Sequence, residues 1–90
     1  MSRPPRWVDT LAEEVIDALK VVRMDCEFLW EPVPGTRLIR IYVISKGFKN
    51  LGFSERQSVL WRIAQGVLTE SQLAKISMIL TLTPDEYGDG

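Results

Sequence analysis

The spacing of apolar residues changes along this chain from the period of a helix to that of a strand, and that change limits the possible folds. From Val8 to Val22 apolar residues recur every three or four positions, as in an amphipathic helix. Arg23–Trp30 and Lys75–Leu82 instead carry apolar residues at alternate positions, and Leu38–Ser45 is rich in β-branched residues. These three segments predict strands. Their inward faces are expected to carry Met24, Cys26, Phe28 and Trp30 in the first and Ile76, Met78, Leu80 and Leu82 in the last.

Turn and cap signals divide the rest of the chain. Glu31–Arg37 holds two prolines and a glycine, which predicts an irregular hairpin loop. Ser54 with Gln57, and Thr69 with Gln72, have the spacing of capping boxes and predict two further helices. The apolar stripe of the first of these two consists of Val59, Leu60, Ile63, Ala64 and Val67. The predicted fold class is α+β: one αββααβ domain with helices on one face of a three-stranded mixed sheet.

The chain is predicted to form a single domain. Its 90 residues, 46% hydrophobic and 26% charged, have the composition of a folded protein and suffice for one core. We expect residues 1–6 to be a flexible lead, residues 7–87 the domain and residues 88–90 a tail, with Thr83–Glu86 forming a final turn and Tyr87 already fraying. Asp9 or Thr10 is expected to cap the first helix.

Composition argues against most catalytic and metal chemistry. The chain has no histidine and one cysteine, Cys26, and no activated nucleophile stands out, so we expect no enzyme, no cofactor and no membrane span. Cys26 lies between Met24 and Phe28 on an apolar strand face, which favours a core role and leaves metal ligation a remote alternative. A single cysteine and the lack of a leader sequence predict a cytoplasmic location.

The element order and two sequence motifs resemble the BolA family, whose domain is akin to the second type of KH fold. Lys75–Tyr87 (KISMILTLTPDEY) is similar to the family's last strand and its closing Thr-Pro-Glu-Glu-Trp-like signature. Val43-Ile44-Ser45, followed by Phe48 and Arg56, is similar to the family's strand end, loop aromatic and the arginine of its Arg-His pair. The resemblance implies a small regulatory or adaptor protein.

The chain departs from the family at its characteristic histidines. Gln57 stands where the second helix of the family usually has a histidine, and Lys75 stands near the histidine that precedes the last strand. The resemblance implies that the later histidine helps a partner monothiol glutaredoxin to hold an iron–sulfur cluster. A lysine ammonium has no lone pair, so Lys75 is a poor iron ligand. The resemblance therefore implies a monothiol glutaredoxin as a candidate partner, while Lys75 argues against cluster binding by this chain.

Charge is segregated along the chain and raises a second hypothesis. The net charge is −1, yet Arg37 to Arg62 carries six basic residues against one acid, leaving −6 for the rest. Lys46, Lys49 and Arg56 bracket a glycine-containing loop, where Phe48 could stack on bases. The alternative to a protein partner is thus KH-like nucleic-acid binding, although no GXXG occurs, and solvated loop lysines explain the same charges.

The leading hypothesis is an adaptor that binds a protein partner through Trp61, Phe48 and the second helix. Trp61 lies beside the centre of the apolar stripe, which indicates partial exposure. Edge strands of a three-stranded sheet can pair between chains, so the chain is expected to be a monomer or a weak homodimer.

Overall fold

The computed structural model describes residues 4–88, and the strands and helices follow the predicted order with two additions. A 3₁₀ helix lies between the second strand and the second long helix, and a short helix closes the described part. The elements are α1 (Arg6–Val21), β1 (Glu27–Pro32), β2 (Ile39–Ile44), the 3₁₀ helix (Lys46–Asn50), α2 (Phe53–Val67), α3 (Glu70–Leu73), β3 (Ile76–Leu82) and α4 (Pro84–Gly88). Parts of the predicted lead and tail, residues 1–3 and 89–90, lie outside the described residues.

The sheet is mixed, as predicted, with strand order β1-β2-β3. β1 pairs antiparallel with β2, and β2 pairs parallel with β3. The parallel pairing follows from the crossover through α2 and α3, which returns the chain to the same end of the sheet. The two long helices supply the apolar stripes that cover one sheet face, and the resulting core contains Val8, Leu11, Val15, Leu19, Ile39, Ile41, Val43, Phe48, Leu60, Ala64, Leu68, Ile76 and Ile79.

The first helix differs from its prediction at both ends. It begins at Arg6, and its N-cap is Pro5, which has a non-helical ψ of 150° and makes no side-chain capping hydrogen bond, so neither Asp9 nor Thr10 is the N-cap. At the other end the helix stops at Val21, and Arg23 adopts a positive φ of 61° that reverses the chain. Val22 is consequently 62% exposed instead of continuing the buried stripe.

The predicted capping boxes have opposite outcomes. Thr69 and Gln72 form one in full, with Thr69 N–H donating to Gln72 Oε1 at 2.9 Å and Gln72 N–H to Thr69 Oγ1 at 3.2 Å. The Ser54 and Gln57 prediction is wrong, because α2 begins at Phe53 with Gly52 as its N-cap. Glu55 accepts the Gly52 N–H there at 3.3 Å.

The prediction of which β3 residues point inwards is wrong after Ile76, because the pairing of β3 with β2 contains a β-bulge. Ile39 pairs with Ile76, but the next residue of β2, Arg40, pairs with Met78, which leaves Ser77 as an extra residue. The Ser77 hydroxyl donates to Ile39 O at 3.0 Å. An extra residue reverses the faces. The buried residues after the bulge are therefore Ile79 and Thr81, while Met78, Leu80 and Leu82 point away from the helices.

The end of the described chain is a capped helix rather than a fraying tail. Thr83 N–H donates to Glu86 Oε1 at 2.8 Å, and Glu86 N–H donates to Thr83 Oγ1 at 3.2 Å, which forms a capping box for α4. Tyr87 then packs edge-on against Tyr42, with ring centroids 6.1 Å apart. None of the helices in residues 4–88 is both long enough and apolar enough to cross a membrane.

Candidate functional site

The segment between β2 and α2, where the sequence places most candidate residues, is held tightly to the start of β1. The Ser45 hydroxyl donates to Asp25 O at 2.7 Å and accepts Gly47 N–H at 3.2 Å, which starts the 3₁₀ helix. Gly47 packs against Met24, and a Cβ at Gly47 would lie 2.6 Å from Met24 Cγ. A side chain at this position would have to displace the flexible end of Met24. The segment is a packed connection between strand and helix.

Phe48 is a core residue rather than a surface contact, which corrects its predicted role in stacking or partner binding. Its side chain is 0% exposed and belongs to the main hydrophobic cluster. The 3₁₀ turn that begins at Ser45 directs the ring inwards, where the ring contributes apolar burial to the core.

Arg56 is also buried, and its hydrogen bonds are made within the fold. Its Nε donates to Leu51 O at 3.0 Å, and its Nη1 donates to Thr81 O at 3.1 Å and to Glu86 Oε1 at 2.8 Å. The guanidinium also lies over the Phe48 ring, 5.7 Å from its centroid. Its charge is therefore paired internally, which corrects the expectation that it contacts phosphate or a partner.

The same contacts fix Glu86 at the N-terminus of α4. The Thr83 backbone N–H, and then the Arg56 guanidinium, hold the pKa of the Glu86 carboxyl below its usual range. The closing Thr-Pro-Asp-Glu motif therefore has a physical role. It caps α4 and ties that helix to α2 through one carboxylate.

The basic residues of the 37–62 segment do not form one patch. Lys46 and Lys49 are exposed, and they line a surface cavity of about 400 Å³ together with Asp85 and Glu86. Arg40 pairs with Glu31 at 2.7 Å on the sheet. Arg37 and Arg62 lie elsewhere, in the hairpin loop and on the outer side of α2. The positive excess that the sequence shows is thus divided and partly neutralised by acids from distant segments.

Gln57 connects α2 to the edge of the sheet. Its Nε2 donates to Ile79 O at 2.7 Å and to Thr81 Oγ1 at 3.2 Å, and its Oε1 accepts Trp61 Nε1–H at 3.1 Å. Trp61 is half-buried against the core. Sequence analysis missed this arrangement, although the spacing of Gln57 and Trp61, one helical turn apart, was a usable signal.

Gln57 and Arg56 together cover the outer edge of β3. In the parallel pairing, Leu82 O points towards β2 and accepts the Ser45 N–H. Backbone carbonyls alternate in direction along a strand, so those of Ile79 and Thr81 point away from β2. These two carbonyls are the acceptors of the Gln57 and Arg56 side chains. The edge of β3 is therefore occupied by side chains of α2, a common protection of edge strands.

The sheet face opposite the helices, here called the open face, is largely apolar. The strand register places Leu29, Tyr42, Met78 and Leu80 on it, and Met78 is 44% exposed. Two glutamates of β1, Glu27 and Glu31, interrupt this surface, and Tyr87 of α4 packs on Tyr42. Glu31 accepts hydrogen bonds from the Tyr42 hydroxyl and from Arg40 Nη1, which lower the pKa of the Glu31 carboxyl.

The residues present do not fit an iron–sulfur cluster. Burial, and then the charge of Asp25, raise the pKa of the Cys26 thiol and disfavour the thiolate that iron requires. Cys26 adjoins the Glu27–Ile44 pair, whereas Lys75 O accepts the N–H of Ile39 at the other end of β2, about 17 Å away along a strand. Within residues 4–88, no three His, Cys, Asp or Glu side chains group as metal ligands.

Comparison with known proteins identifies the fold. Neither a protein-family model nor a curated protein matches the sequence. Among solved structures, BolA1 from Arabidopsis thaliana is similar to the chain with a TM-score of 0.60 and 16% sequence identity, over 92% of this chain and 98% of that one. The chain has a BolA-like fold, as the resemblance of its motifs predicts.

Proposed function

We propose that this chain is a small cytoplasmic regulatory or adaptor protein of the BolA type, which performs no catalysis and acts by binding another protein. The observation that carries the proposal is the open face. Two long helices cover only one side of the sheet; on the other side Tyr87 of α4 packs against Tyr42, while Leu29, Met78 and Leu80 remain partly exposed. Apolar sheet surface normally packs against another layer, and contiguous exposed apolar surface is typical of interaction sites.

The test is capture of binding proteins by the tagged chain from lysate, with nuclease present, followed by the same capture with Met78→Lys. Met78 is 44% exposed, so the lysine is expected to fold normally and to remove the retained protein by placing a charge on the open face. Val59→Lys is the matched control, because Val59 is 37% exposed on α2. Equal retention by both variants would contradict the open face as the contact.

Trp61 remains a second proposed contact, on α2 beside the covered edge of β3. Because its indole N–H bonds to Gln57, Trp61→Phe removes that hydrogen bond and keeps most of the packing. We expect Trp61→Phe to fold and to weaken retention of the same partner. Unchanged retention would restrict the contact to the open face.

Nucleic-acid binding is the alternative, and the exposed ammonium groups of Lys46 and Lys49 are its support. Contacts with phosphates release counterions, so affinity for a labelled single-stranded RNA would fall steeply with salt. The double variant Lys46→Gln, Lys49→Gln would then weaken binding, and Arg62→Gln, on the outer side of α2, would not. A flat salt dependence would exclude this mechanism.

A further inference from the structure

We propose that the free edge of β1 binds an extended, basic segment of a partner protein by adding it to the sheet as a fourth strand. This inference rests on the proposed function, since it names a second surface of the adaptor and the chemistry of what binds there. In the described chain, β1 is the terminal strand on the side away from β3, so only one of its edges pairs.

Two residues of β1 direct their backbone groups outwards. Val33 N–H donates to Leu38 O at 3.0 Å, which identifies Val33 and Leu38 as a hydrogen-bonded antiparallel pair. Because such pairs alternate, Leu29 and Glu31 bond to β2, while the N–H and C=O groups of Phe28 and Trp30 point away from it. No hydrogen bond within residues 4–88 uses those four outward groups.

The side chains of β1 suit an added strand of limited length. Phe28 and Trp30 lie on the core side and are only half-buried, so they leave apolar surface for alternate residues of the incoming strand. Glu27, Leu29 and Glu31 lie on the open face. Pro32 has no N–H and ends the usable edge, which limits the ladder to about five residues.

Charge selects a basic segment. On β1 itself, Glu27 is exposed, and Glu31, whose charge Arg40 partly neutralises, lies on the same face. Lysine or arginine on the open side of the incoming strand would therefore lie beside carboxylates. A second copy of this chain is less suitable, because an antiparallel pair of β1 strands centred on Leu29 would place Glu27 opposite Glu31 of the other copy.

The test uses a capped hexapeptide of alternating valine and lysine and NMR of the full chain. In the free protein, the amides of Phe28 and Trp30 should exchange rapidly and those of Leu29 and Glu31 slowly. The peptide should slow the exchange of Phe28 and Trp30 at least about tenfold through ladder formation. Unchanged exchange at millimolar peptide would overturn the proposal, whatever the result with Met78→Lys.

Two controls separate strand addition from simple charge attraction. Methylation of the valine amides blocks an antiparallel ladder, and methylation of the lysine amides blocks a parallel one. Loss of binding by only one of these two methylated peptides would support strand addition. Equal binding of both would overturn it. Glu27→Lys should weaken binding at least about threefold, whereas Glu70→Lys, an exposed site on α3, should not. Equal effects of the two substitutions would overturn the assignment of charge to this edge.

Discussion

The two edges of the sheet differ in how their backbone groups are used. At β3, Arg56 and Gln57 of α2 reach the outward carbonyls of Thr81 and Ile79. At β1, the outward groups of Phe28 and Trp30 have no partner within residues 4–88. The hydrogen bonds at the β3 edge therefore stabilise the fold, whereas the backbone groups at the β1 edge are available to pair with another strand. The difference shows that a small α+β domain can protect one edge with its own helix and keep the other for pairing.

Arg56→Met should have the largest effect, because it opens the β3 edge. It leaves Thr81 O and Leu51 O without their donor and removes the ion pair with Glu86, which should lower the free energy of unfolding by about 2–4 kcal/mol in urea denaturation. Arg62→Met on the exposed side of the same helix should change it by less than about 0.5 kcal/mol. Similar losses from both variants would contradict a structural role for Arg56.

Gln57→Leu should remove the second contact at the β3 edge at a smaller cost. It removes the donor to Ile79 O and the acceptor of the Trp61 indole, so we expect a loss of about 1–2 kcal/mol. The Trp61 indole N–H resonance should also shift in the NMR spectrum. Gln65→Leu makes the same change at an exposed position of α2, and an equal loss there would disprove the bridging role.

Acid should lower the stability of the protein through two carboxylates, Glu86 beside β3 and Glu31 on β1. The pKa values of Glu86 and Glu31 lie below the ordinary 4.5, so their stabilising contributions are present above that pH and are lost as pH falls through the lowered values. Glu86→Gln and Glu31→Gln should each lower stability at pH 7 and flatten its decline below pH 4.5, as measured by urea denaturation across pH. Glu13→Gln, on the outer side of α1, should keep the full slope; an unchanged slope in the first two variants would refute the linkage.

Glu27→Lys at the β1 edge should have the smallest effect on stability. Glu27 is exposed and its side chain makes no hydrogen bond or ion pair within residues 4–88, so the free energy of unfolding should change by less than about 0.5 kcal/mol. Thermal and urea denaturation measure this. A large loss would mean that the β1 edge, like the β3 edge, supports the fold itself.

Local sequence patterns predict those parts of the fold that depend on interactions between residues close together in the chain. The stripe Val8, Leu11, Val15 and Leu19 is buried at the predicted spacing, and Thr69 caps α3 as its motif indicates. The candidate site was less predictable. The loop composition around Phe48 resembles an exposed loop, and nothing in the alternation of residues 75–82 marks the bulge at Ser77, which depends on pairing with Ile39.

Local sequence patterns were enough to predict the order of helices and strands, the α+β class and the resemblance to BolA proteins, because periodicity, caps and turn residues act over a few neighbouring positions. The positions of Arg56 and Gln57 at the β3 edge, and the free edge of β1, became visible only once the chain was folded. The hydrogen bonds that decide this join residues 22 to 30 positions apart. Such contacts arise from packing, and no local pattern of residues encodes which groups they will join.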